Sequence, residues 1–227
     1  MPKPKISVNK LGEYLDATPA RRRRIVQDQK DPKDFMVIRY KDAREIIVDF
    51  LSSGLENEQD ALSAASRLRD EEAATSFAKQ DKNASADAIE DFLDASDLIN
   101  MDGMVTERVK KNTTDSMVIA GVDVSIRPDV IFKDQKTGGI VGALKLHFSK
   151  THPLNSTSSK YVATVMRVHL EKRENSEIDP KKCYVVDVPT KNVNHAPRAY
   201  KKNMKDIEAA CEEIEARWKY SATINKL

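Results

Sequence analysis

The chain has 227 residues, 40% of them hydrophobic and 33% charged, with a formal net charge of +2. That length allows a sizeable core, and the composition is that of a folded, charge-rich globular protein rather than a disordered or fibrous one. No apolar run approaches the roughly 18 residues of a membrane helix, so no membrane partner is expected. The opening MPKPKISVNK lacks a leader's apolar segment. Two cysteines, Cys183 and Cys211, are too few for a disulfide framework or a four-cysteine metal site, which points to a reducing, cytoplasmic setting.

The small net charge conceals segregation. Residues 1–55 carry 12 basic and 8 acidic side chains, residues 56–98 carry 4 and 12, and residues 99–227 carry 22 and 16. Two basic ends flank an acidic middle, which fits a polyanionic partner at the ends or an internal counter-charge in the middle.

The first half reads as helix. Thr18 as N-cap and Pro19 at the first helical position predict a helix start. Arg21, Arg22, Arg23 and Arg24 then fill its first turn, where the helix dipole disfavours cations; they are candidate substrate contacts, or a solvated face paired with the acidic middle. Pro32 closes this stretch. YKDAREIIVDFLSSG places Ala43, Ile46, Ile47, Phe50 and Leu51 on one face, with Gly54 as a C-cap. Residues 56–80 predict one alanine-rich helix. SADAIEDFLDASDLI predicts another, capped by Ser85 and buried through Ile89, Phe92 and Leu93.

The second half changes period. SMVIAGVDVSIRPDVIF has strand composition and GGIVGALKLHF answers it across the turn KDQKTGG, which predicts a long β-hairpin. SKYVATVMRVHLEKR fits strand or helix, with the helical face slightly better. KCYVVDVPT reads as a short buried strand and NVNHAPRAY as an extended segment. A closing helix buries Met204, Ile207, Ala210, Cys211, Ile214 and Trp218.

Alternation along a strand puts Asp123, Ser125, Arg127 and Asp129 on one face of the first hairpin strand, and Ala143, Lys145 and His147 on one face of the second. Two carboxylates, a guanidinium, an ammonium and an imidazole make these polar faces unusually functional in type. A plain cross-strand ion pair between Asp129 and Lys145 would leave the same pattern, although exposed pairs contribute under ~1 kcal/mol.

The segment RPDVIF…GALK resembles the PD-(D/E)XK nuclease superfamily, and the lead-in GVDVSIRPD and the later YVAT helix are similar to its exonuclease-like branch. The resemblance implies an α/β, restriction-endonuclease-like core over residues 82–227: helix, β-hairpin, helix, strand and helix on a mixed sheet. Residues 1–81 would form an N-terminal helical extension. It implies a nuclease that hydrolyses phosphodiesters, of DNA in the first instance, with Mg²⁺ or Mn²⁺, in restriction, repair or anti-phage defence. Asp129 would hold the metal and Lys145 would orient the attacking water. Ala143 stands where the superfamily carries its second acid. Glu90 on the preceding helix is the candidate replacement, with Asp87 and Asp91 as neighbours. Asp123 lies about 20 Å from Asp129 at strand spacing, too far for one metal. His147 and Arg127 are candidate substrate contacts, and Lys160, Arg167, Lys172, Arg173, Arg198, Lys201 and Lys202 could rim a nucleic-acid groove. The alternative reading is a catalytically inactive nuclease-like protein that binds nucleic acid or a protein partner, alone or as a homo-oligomer.

Overall fold

The computed structural model describes residues 3–32, 39–109 and 115–224. Their order is β1 (Lys5–Ser7), α1 (Val8–Asp16), α2 (Pro19–Lys30), α3 (Lys41–Ser52), α4 (Glu58–Asp70), α5 (Ser76–Ser96), β2 (Met104–Arg108), β3 (Ser116–Ile119), β4 (Val122–Ser125), β5 (Val130–Asp134), β6 (Ile140–His147), α6 (Ser156–Glu174), β7 (Cys183–Asp187), β8 (Asn192–His195) and α7 (Lys201–Ile224). The class is α/β. Five strands form one sheet in the order β2-β5-β6-β7-β8, and three form another in the order β1-β4-β3. All pairs in the larger sheet are antiparallel except β6 with β7, which run parallel and are joined by α6. A parallel neighbour needs such a crossover, whereas the antiparallel hairpin closes with a short turn.

Apolar side chains cover both faces of the larger sheet. Ile131, Ala143, Cys183 and Val185 join residues of α1, α2, α6, α7 and the small sheet in one core. Val130, Phe132, Leu144, Leu146, Tyr184 and Val186 join α3, α4 and α5 in the other. Two glycines are required by close approach. A Cβ on Gly142 would lie 2.1 Å from the carbonyl oxygen of Lys182, and one on Gly12 would lie 2.5 Å from Val162, where α1 crosses α6.

The predicted helix start at Thr18 is present, with the Thr18 hydroxyl accepting from the Arg21 amide. The predicted helix over residues 56–80 is two helices. Arg67 and Arg69 fill the last turn of α4, where cations suit the dipole, the backbone turns extended at Glu71, and Thr75 starts α5 by accepting from Ala78. Ser85 is therefore not a cap: it is buried mid-helix, because α5 runs unbroken from Ser76 to Ser96 and so through residue 81. Residues before 81 also supply β1, which pairs in parallel with β4.

The first hairpin strand is likewise interrupted. β4 belongs to the small sheet, the Ile126 amide bonds the carbonyl of Asp115, Arg127 takes a φ of 39°, and Pro128 removes a donor before β5 begins. Asp123 thus sits in a different sheet from Asp129. The hairpin of β5 and β6 pairs Val130 with Leu144 and Ile131 with Ala143. Its turn is tied by the Asp134 carboxylate, which accepts from the amides of Lys136 and Thr137. The closing helix buries Ile207, Ala210, Cys211, Ile214 and Trp218 as predicted, while Met204 packs against the same core but is only half-buried.

Candidate functional site

Asp129 and Lys145 meet at the end of the larger sheet where β6 and β7 finish. The Asp129 amide donates to the Leu144 carbonyl, at 2.8 Å, and extends the β5–β6 ladder by one step. That step sets its side chain beside Lys145, whose Nζ lies 3.2 Å from Asp129 Oδ2. The same Oδ2 accepts from the Leu146 amide at 2.8 Å. Asp129 Oδ1 is taken by the guanidinium of Arg44. Only 4% of the Asp129 side chain and 12% of the Lys145 side chain are exposed, against 42% for Arg44.

Local sequence explains the placement of each cation. Arg44 lies one turn into α3, and its guanidinium rests 5.1 Å from the centre of the Phe148 ring, which is itself stacked on Tyr40. Arg127 has a left-handed backbone, uncommon outside glycine, and this turns its carbonyl to accept from Lys145 Nζ at 2.6 Å. The Arg127 side chain is exposed and makes no ion pair among the described residues. Burial holds the Lys145 ammonium below the ordinary lysine range; Asp129 opposes that, and the charges of Arg44 and Arg127 add to it.

Glu90 is not brought to Asp129. Both its carboxylate oxygens are held by Arg69 of α4, which also bonds Asp87 at 3.0 Å. Those hydrogen bonds hold Glu90 below the usual carboxylate range. Asp91 pairs with Lys191 at 3.3 Å. Ala143 is fully buried in the apolar layer beside Ile131 and Cys183. Among the described residues, no three histidine, cysteine or carboxylate side chains gather where they could hold a metal. A hard divalent cation takes several free oxygens. Here one carboxylate is saturated, the second is engaged elsewhere and the third position carries a methyl group, so these residues do not fit Mg²⁺ or Mn²⁺.

His147 shares a face of β6 with Lys145 but is engaged by other groups. Its Nε2 donates to the carbonyl of His152 at 3.0 Å and lies 3.8 Å from Asp187 Oδ2, the residue opposite it on β7. Burial pushes the imidazole below its ordinary pKa against the pull of that carbonyl and of Asp187. Arg21 bonds Glu13 at 2.7 Å, and Arg22 bonds Glu213 and the carbonyls of Tyr14 and Leu15. Arg24 lies 4.0 Å from Asp28, and Arg23 is exposed with no ion pair among the described residues. A pocket of about 380 Å³ opens between Glu13, Asp16, Arg21, Thr151 and His152, and neither Asp129 nor Lys145 lines it.

Arg44 and Asp187 are the residues that sequence spacing did not single out. Arg44 is one of several charges on an amphipathic helix, with no signal of its own. Asp187 carried one: a carboxylate closing the apolar run CYVV is an expensive thing to bury without a purpose. No family model, no curated protein and no solved structure matches this chain.

Proposed function

We propose that this chain is a catalytically silent protein of the PD-(D/E)XK nuclease type that binds DNA through the cations around Asp129. The strand order β2-β5-β6-β7, with α6 crossing from β6 to a parallel β7, supports the restriction-endonuclease-like reading. So does Asp129 opposite Lys145. The observation that carries the silent reading is the closure of Asp129 by Arg44, Lys145 and the Leu146 amide. A guanidinium sits where a metal-dependent nuclease of this type would bind its cation, and the local charge favours anions.

The test is incubation with plasmid and with linear single-stranded DNA in Mn²⁺, beside binding measurements across salt. The expected result is no cleavage, with single-strand affinity falling as salt rises at a log–log slope of about −2, the release expected for three cations. Arg44→Gln and Lys145→Met weaken binding. Cleavage that disappears in Asp129→Ala and Lys145→Ala would establish a metal-dependent nuclease instead.

A further inference from the structure

The charges around Lys145 do not cancel. Arg44 and Lys145 hold one carboxylate, Asp129, and the charge of Arg127 lies close enough to act on Lys145, so among the described residues these groups carry two positive charges in surplus. Lys145 is recessed, with 12% of its side chain exposed, whereas Arg44 and Arg127 stand at the surface. Arg44 gives one nitrogen to Asp129 and keeps the rest of its planar fork for another acceptor. A ligand for this cluster is therefore an anion that projects inward, is divalent, and competes with a carboxylate for Arg44.

We propose that the cluster binds the terminal phosphate monoester of a DNA strand rather than its internal diesters; this rests on the nucleic-acid reading above. An internal diester carries one negative charge and is flanked by sugar on both sides, which keeps it from a recessed ammonium. A terminal monoester carries nearly two charges at neutral pH and three unencumbered oxygens. Its charge matches the surplus of the cluster, and its oxygens suit the two guanidiniums and the ammonium, since charge-assisted bonds of this kind are the strong ones. The Arg127 carbonyl and Asp129 hold the Lys145 ammonium on one side and leave its remaining proton for the ligand.

The probes are fluorescent single-stranded oligonucleotides of one sequence bearing a 5′-phosphate, a 3′-phosphate or hydroxyls at both ends. At about pH 7.5 a phosphorylated form binds about 10-fold tighter than the hydroxyl form, the worth of one added charge-assisted contact. The preferred end is the one whose arm shows the gain. Arg127→Gln, a change at an exposed side chain, removes that preference while thermal unfolding stays unchanged. The preference also shrinks at about pH 5.5, where the dianionic monoester takes up a proton and loses one of its two charges. Equal affinity for all three probes overturns the monoester assignment and leaves DNA binding standing. No binding of any probe at low salt overturns both.

Discussion

Asp129 and Asp187 are both withdrawn from solvent at the same end of the sheet, and their surroundings differ in kind. Asp187 is held by neutral donors: the Leu154 amide at 2.6 Å and the Thr190 hydroxyl at 2.7 Å, with His147 at 3.8 Å. It ties the loop entering α6 to the end of β7 through donors that carry no charge. Asp129 is held by two cations and one amide, and one of those cations, Arg44, reaches the surface. A carboxylate met by neutral donors is an anchor. A carboxylate outnumbered by cations is one member of a site that still has capacity for an anion.

Adding a third carboxylate in the middle of β6, with no donors at all, gives the largest effect. Ala143→Glu puts an acid into the apolar layer beside Ile131 and Cys183, and lowers unfolding free energy by at least about 3 kcal/mol in urea titrations. Added Mn²⁺ does not restore the loss. Restoration by Mn²⁺ would show that the scaffold retains a metal site lacking only this ligand, and would count against the anion-binding account. Asp187→Ala leaves the buried Leu154 amide without an acceptor and costs about 3 kcal/mol with an unchanged denaturant slope. DNA affinity per folded molecule stays the same.

Asp129→Asn separates the two carboxylates by sign. It costs about 1–2 kcal/mol of stability, less than Asp187→Ala because Arg44 can turn to water. Phosphate-ended DNA binds more tightly, since the competitor for Arg44 has lost its charge. Weaker binding in this variant would mean that Asp129 orders the cations more than it competes for them, and the contrast with Asp187 would fail.

Much of this scaffold is legible in the residues. Thr18 and Pro19 mark the start of α2, the alternation in GGIVGALKLHF marks β6, and the spacing from Met204 to Trp218 marks the buried face of α7. Those signals are local, so they survive without knowledge of the fold. The break in the first hairpin strand is not local: Ile126 leaves for the Asp115 carbonyl and β4 leaves for β1, partners about 10 and 120 positions away whose pull no period of two can show. The pairing of Asp129 with Lys145 follows from register once the hairpin is drawn. The choice of Glu90 as helper does not survive, because α4 packs Arg69 against it. Arg44 could not be found from spacing, since only the docking of α3 over Phe148 distinguishes it from Lys41 or Glu45.

A third charged group near this end, Glu13, gives the smallest effect and a pH dependence with a definite sign. Its buried carboxylate bonds Lys10 at 2.6 Å and Arg21 at 2.7 Å. Burial by itself would raise its pKa, but the hydrogen bonds and charges of Lys10 and Arg21 outweigh that and hold it below the ordinary 4.5. A carboxyl whose folded pKa is depressed contributes its stability above the unfolded value and loses it as pH falls through the folded one. Glu13→Gln is therefore less stable than the parent by about 1 kcal/mol at neutral pH, and the two curves converge towards about pH 3. Urea unfolding of both proteins at about pH 7, 5 and 3 reads this directly. A gap that stays constant across the series would assign the cost to packing rather than charge. Glu13 would then stand with Asp187 as an anchor, and the balance of charge would distinguish Asp129 alone.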